Sequence, residues 1–155
     1  MDPFSVTVGI VSTLDVCTRT ASFLKGIKKG ASTVDKEVEA ISNDVEAVKA
    51  AVAVLNNVYN SGSEDGPSGL FTKNQTSQAW RNLMRLLPKC EDTITKIQEL
   101  IQEISDFRLP KSAQRLEGLI KTLRKHSRET EYYALRRELG SYIVTLQMLL
   151  SAIQA

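Results

Sequence analysis

VDKEVEAISNDVEAVKAAVAVLNNVYN, residues Val34–Asn60, decides the fold. Val34, Val38, Ile41, Val45, Val48, Val52, Leu55 and Tyr59 step alternately by four and three. Lys36, Glu37, Glu39, Asp44, Glu46 and Lys49 fill the rest of the helical wheel. That spacing puts every apolar side chain on one face of an α-helix, whereas a half-buried strand would alternate every second residue. The resulting heptad seam is about 40 Å long. Ser32 or Thr33 is the expected N-cap.

Working outward, the same grammar repeats. Upstream, Asp2-Pro3 reads as an N-cap carboxylate with proline at the first helical position, and the helix is expected to run to Lys25–Lys29, loosened by Gly26 and Gly30. Downstream, Ser61–Gly69 reads as an exposed, flexible loop with three glycines and a proline. A third helix is expected from about Thr76, with Trp80, Leu83, Leu87, Cys90, Ile94, Ile97, Ile101 and Ile104 on its seam. Pro88 interrupts it and predicts a kink or two stacked segments. Leu109-Pro110 ends that run. A fourth helix is expected over Lys111–Lys125, burying Ala113, Leu116, Ile120 and Leu123. The last, over Glu129–Ile153, uses Tyr132, Leu135, Leu139, Tyr142, Leu146, Leu149 and Ile153, with Ile143 and Leu150 widening the stripe.

No segment shows sustained period-two alternation. The fold class is therefore all-α: an up-down bundle of four to five helices with long heptad-like seams. At 155 residues the chain reads as one domain, able to bury roughly 70% of its unfolded surface. Cys17 and Cys90 fall on apolar seams and read as reduced core thiols of a cytosolic protein.

The chemistry of an enzyme is missing. The one histidine, His126, stands between cations at a helix end and reads as a surface or C-cap residue. One histidine and two separated cysteines assemble no zinc set. Gly62, Gly66 and Gly69 lack the lysine and helix start of a phosphate loop. Acid pairs such as Glu99/Glu103 sit beside Lys96 as salt-bridge decoration. No catalytic residue, metal or cofactor is expected. A net charge of +2 gives no footprint for nucleic acid.

Two regions stand out from this plain bundle. From Pro3 to Leu14 there is no charge, and Phe4, Val6, Val8, Ile10, Val11 and Leu14 point around most of the wheel. Asp15 and Arg19 follow at i,i+4, then a basic collar of Lys25, Lys28 and Lys29. It is not a secretory signal, since Asp2 replaces a basic n-region and no small-residue cleavage site follows. Constitutive spanning is disfavoured by Asp15 and Arg19, at roughly 2.5–3.5 kcal/mol each. Such a helix is either core gripped on several sides or an amphiphile released by a switch. The second region, Arg108–Arg128, sets Arg108, Lys111, Arg115, Lys121, Arg124, Lys125 and Arg128 against Glu117 alone. It is a solvated face complementing acids on neighbouring helices, or a patch for anionic lipid headgroups. No aromatic residues interleave to stack on bases.

The opening Met1-Asp2-Pro3-Phe4-Ser5-Val6, the apolar helix after it, the Glu/Val/Leu-rich second helix and the closing Leu135-Arg136-Arg137-Glu138-Leu139-Gly140-Ser141-Tyr142-Ile143-Val144-Thr145-Leu146 resemble the HeLo-like (HELL-type) N-terminal domains of fungal STAND (NLR-like) proteins. The likeness runs over all 155 residues. It implies kinship with the HeLo heterokaryon-incompatibility domains and with the four-helix domain of the mixed-lineage kinase-like pseudokinase. It also implies a cell-death effector, cytoplasmic at rest, whose first helix is exposed on self-association and permeabilises the plasma membrane. Carried over, the membrane-inserting role falls on Phe4, Val6, Val8, Ile10, Val11 and Leu14. Headgroup contacts fall on Lys25, Lys28, Lys29, Arg115, Lys121, Arg124, Lys125 and Arg128. The implied partners are further copies of the chain, anionic membrane lipids and a downstream nucleotide-binding domain of a parent protein. That domain is not in this chain, which is expected to be the N-terminal part of something longer. The rival expectations are a non-lytic interaction or oligomerisation adaptor, and an autoinhibitory domain restraining a downstream NTPase.

Overall fold

The computed structural model describes residues 3–30, 35–62, 73–105 and 118–154, with side chains described over 5–28, 35–60, 78–104 and 118–154. Among the described residues five α-helices follow one another: α1 Pro3–Gly30, α2 Lys36–Gly62, α3 Lys73–Ser105, α4 Leu119–Lys125 and α5 Glu129–Gln154. The chain is an all-α bundle of four long helices and one short one, as the seams predict.

The apolar steps become the core. Val38, Ile41, Val45, Val48, Val52 and Leu55 of α2 are each at most 1% exposed. Leu83, Leu87, Ile94, Ile97 and Ile101 of α3 belong to the same core cluster, with Tyr132, Leu139 and Leu146 of α5. Burial of a Val, Leu or Ile side chain is worth about 1.5–3 kcal/mol, so these stripes dominate the stability.

Helix directions follow from side-chain contacts. Thr13 reaches Glu91, and Thr20 reaches Gln98, each pair separated by 78 residues. Both partners advance by one heptad, so α1 and α3 are parallel. Arg128 at the start of α5 pairs with Glu103 near the end of α3, and Tyr142 lies within electrostatic reach of Cys90 and Asp92. Helices α3 and α5 are therefore antiparallel. Neighbours around the bundle run α1–α2–α5–α3. Helices α2 and α3, consecutive in sequence, meet at Tyr59 and Trp80, whose rings stack edge-on at 5.6 Å.

Four expectations change. The cap of α2 is Asp35, whose Oδ1 accepts from the N–H groups of Glu37 (2.8 Å) and Val38 (3.4 Å). Ser32, Thr33 and Val34 lie outside the described residues. The other Asp35 oxygen accepts from the Leu119 N–H, so one carboxylate caps both α2 and α4. Helix α3 runs continuously through Pro88, so of the two outcomes expected there the two stacked segments do not form. Helix α4 starts only at Leu119, because Gly118 takes φ 107, which ends helical geometry there. The remainder of the expected fourth helix, including Arg115, lies outside the described residues, as does most of Ser61–Gly69. Finally, α1 packs in the groove between α2 and α3 and not at the centre of the bundle.

Candidate functional site

Helix α1 is the element on which the functional expectation rests. Its buried stripe is Val6, Ile10, Thr13, Cys17, Thr20 and Leu24, each at most 1% exposed. Only three of these six are aliphatic. The Thr13 hydroxyl lies 2.8 Å from both the Gly9 carbonyl and a Glu91 carboxylate oxygen. The Thr20 hydroxyl lies 2.6 Å from the Gln98 side-chain oxygen. Two polar rungs, one heptad apart, thus tie α1 to α3.

The six apolar residues singled out on α1 part company here. Val6 and Ile10 face the core, and Leu14 is half-buried against it. Val8 and Val11 face outward, 50% and 56% exposed. The side chain of Phe4 lies outside the described residues. Between α1 and α3 runs an open groove of about 330 Å³, floored by Met84 and Leu87 and edged by Val8, Pro88 and Glu91. Asp15 and Arg19 pair at 3.0 Å on the exposed side.

Cys17 and Cys90 are free, buried thiols. Burial first, then the neighbouring Cys90, pushes the Cys17 thiol up to about 12, and burial does the same to Cys90. Neither is a nucleophile in the closed bundle, because the thiolate is the reactive form.

The basic candidates divide as well. Lys25 is exposed and Lys28 half-buried, while the Lys29 side chain lies outside the described residues. Arg124 donates two bonds to Glu129, at 3.0 and 3.2 Å. Arg128 bridges Glu103 and Glu131, both at 2.8 Å. Lys121 and Lys125 are exposed and also have partners. The cationic stripe of α4 is thus partly neutralised by acids of α3 and α5. This agrees with the expectation of a solvated face complementing acids on neighbouring helices, although the particular pairing of Arg128 with Glu103 forms only when α3 and α5 pack.

A second polar cluster clamps α2 to α5. Glu37 accepts from the Tyr132 hydroxyl at 2.8 Å and from Arg136 at 2.9 Å, with Asp44 3.7 Å from the same guanidinium. Burial raises the Asp44 carboxyl above its ordinary value despite Arg136. His126 ends α4 as its C-cap residue. Among the described residues no group of His, Cys, Asp and Glu is arranged to hold a metal ion, and no helix is long and apolar enough to cross a membrane.

Comparison with known proteins finds no matching family model, no significantly similar characterised protein and no matching solved structure.

Proposed function

We propose that this chain is a non-enzymatic, membrane-targeting effector domain of the HeLo-like kind, in which clustering frees α1 to act on the bilayer of the plasma membrane. The observation that supports this most is the mixed seam of α1. A buried hydroxyl with a partner contributes a net of about 1 kcal/mol, less than a buried aliphatic side chain. Helix α1 is therefore the long helix held most weakly per buried position. Helix α5 packs on both α2 and α3 through contacts that do not involve α1.

Since α1 is not apolar enough to span alone, its active form is an assembly. The stripe of Val6, Ile10 and Leu24, which also carries Thr13 and Thr20, turns to lipid, while the Asp15–Arg19 pair on the opposite side of the helix faces neighbouring copies. Fungal cell death on self-association, as the resemblance implies, is the biological setting proposed. The test is dye release from anionic liposomes by artificially clustered protein. Val8→Asp with Val11→Asp is the informative variant, because both side chains are already exposed and the bundle tolerates the change. Leakage by the parent and not by the variant is expected. No leakage from clustered parent, or equal leakage from both, defeats the reading.

The ion-paired state of Arg124 and Arg128 favours one rival, an adaptor bundle that binds protein partners without touching lipid. Such a domain stays in the supernatant when sedimented with anionic liposomes at physiological salt.

A further inference from the structure

The open groove between α1 and α3 has two unlike rims. Its walls run from Ser5 to Ser12 on α1 and from Met84 to Glu91 on α3. Seven steps along each of two parallel helices make a trough about 10 Å long, or two helical turns. The α1 rim is uncharged, since residues 3–14 contain no Asp, Glu, Lys or Arg. Val8 stands on that rim 50% exposed. A Cβ at Gly9 would lie over the floor, 3.6 Å from Met84 Sδ and 3.9 Å from Leu87 Cδ1. Glycine at this position keeps the trough open.

The α3 rim is cationic. Arg81, Arg85 and Lys89 step by four along the exposed side of α3, over the same two turns that floor the groove. None of the three is ion-paired among the described residues. They differ in this from Arg19, Lys96, Arg124, Arg128 and Arg136, each of which holds a carboxylate. Glu64 and Asp65 fall in 63–72, outside the described residues.

An apolar trough beside a row of unmatched cations complements an amphipathic helix whose apolar stripe carries acids on one flank. We infer that the α1–α3 groove docks an acidic amphipathic helix of a partner protein. Its apolar stripe lies on Met84, Leu87 and Val8, and its carboxylates meet Arg81, Arg85 and Lys89. Charge selects this occupant over a second copy of the chain. Among the described residues, the exposed Val144 and Met148 of α5 lie in 139–154, which contains no acid. The exposed acids Glu39 and Glu46 of α2 have no large exposed apolar side chain on their helix. Tyr133, near Glu129, is a single side chain and not a stripe. A bilayer meets the crests of α1 and α3 as a plane. A helix instead lowers a ridge of side chains onto a floor where Leu87 is only 1% exposed. Docked there, the partner touches both walls and braces α1 against α3. The inference goes beyond the membrane reading and stands if that reading fails.

The experiment is fluorescence anisotropy of a labelled synthetic helix of about 15 residues, titrated with the full 155-residue chain in the absence of lipid. The peptide carries leucine at every third and fourth position and glutamate along one flank. Saturable binding is expected, and the same peptide with glutamine for glutamate should bind about tenfold more weakly. Arg81→Glu/Arg85→Glu/Lys89→Glu should weaken the glutamate peptide by about tenfold or more. Lys25→Glu/Lys28→Glu/Lys36→Glu, at the other end of the bundle, should stay within about threefold of the parent. Gly9→Leu should weaken binding about tenfold by filling the trough, with the urea midpoint unchanged or raised. If Gly9→Leu fails to fold, Ser12→Leu on the same wall is expected to give the same loss.

Equal binding of the glutamate and glutamine peptides, or full binding by the α3 or wall variants, overturns the proposal. So does no binding of the glutamate peptide by the parent. A gain of about tenfold on Glu64→Gln/Asp65→Gln overturns it by showing the cations already engaged. Displacement of the peptide by phosphatidylserine vesicles, or a peptide-free dimer that the α3 substitutions disperse, overturns it by giving the row to headgroups or to a second copy. Because binding is read without lipid, its failure is distinct from a failure of clustered protein to release dye.

Discussion

Helices α1 and α2 are 28 and 27 residues long, lie against each other and bury the same four-three stripe. Their stripes differ in chemistry. Along α2 the sequence is Val38, Ile41, Val45, Val48, Val52, Leu55, and along α1 it is Val6, Ile10, Thr13, Cys17, Thr20, Leu24. Spacing fixes where a helix packs, and the side chains at those positions fix how firmly it stays. Two helices can thus be equally legible as bundle members and unequal as fixtures.

The widest gap between them should appear on truncation. Ile41→Ala is expected to lower the unfolding free energy by about 3 kcal/mol, read from urea midpoints. Thr20→Ala should cost about 1 kcal/mol. Equal losses would erase the contrast. Next in size is a kinetic difference. Cys17 lies on the α1 seam with its thiol held up to about 12 by burial, so maleimide reaches it only when α1 opens. Clustered protein on anionic vesicles should label about a hundredfold faster than the closed bundle, an opening difference of about 3 kcal/mol. Rapid labelling of the closed, unclustered chain breaks the claim that α1 is stowed.

A third experiment makes α1 resemble α2. Thr20→Val with Gln98→Leu replaces one polar rung by apolar contact and should stabilise the bundle by about 1 kcal/mol while delaying dye release. Faster release would invert the argument. The smallest effect concerns the clamp on α2. Because burial raises the Asp44 pKa, its charged form opposes folding at neutral pH, and that opposition fades as pH falls through the raised value. Asp44→Asn should therefore be more stable than the parent at pH 7, with the advantage gone once pH falls below the ordinary carboxylate range. A variant that destabilises at pH 7 would show that the bond to Arg136 outweighs desolvation.

The fold was readable because apolar spacing is local. Seam residues from Val38 to Leu55 and from Leu83 to Ile104 occupy the core as their steps predict, and α5 ends at Gln154, one residue past Ile153. Asp35 was missed as a cap because two hydroxyl residues precede it and Leu119, its other partner, is distant in sequence. Pro88 does not split α3 in two, because the packed seam on either side of it outweighs one lost backbone hydrogen bond. The α1 residues were legible as a group but not by face. Nothing in Phe4–Leu14 tells which side α2 and α3 will cover. That Arg124 and Arg128 complement acids on neighbouring helices was legible in outline, but the particular partners, Glu129, Glu103 and Glu131, appear only once α3 and α5 pack.

Asp35 gives the bundle a mechanical property that no seam supplies. A single carboxylate terminates two helices that are more than eighty positions apart, so a tug on the chain leading into Leu119 reaches the first turn of α2 through one side chain. Neutral truncation there would loosen two helix ends together, about 0.5–2 kcal/mol for each cap lost. The floor on which α1 rests would be the first place to feel it.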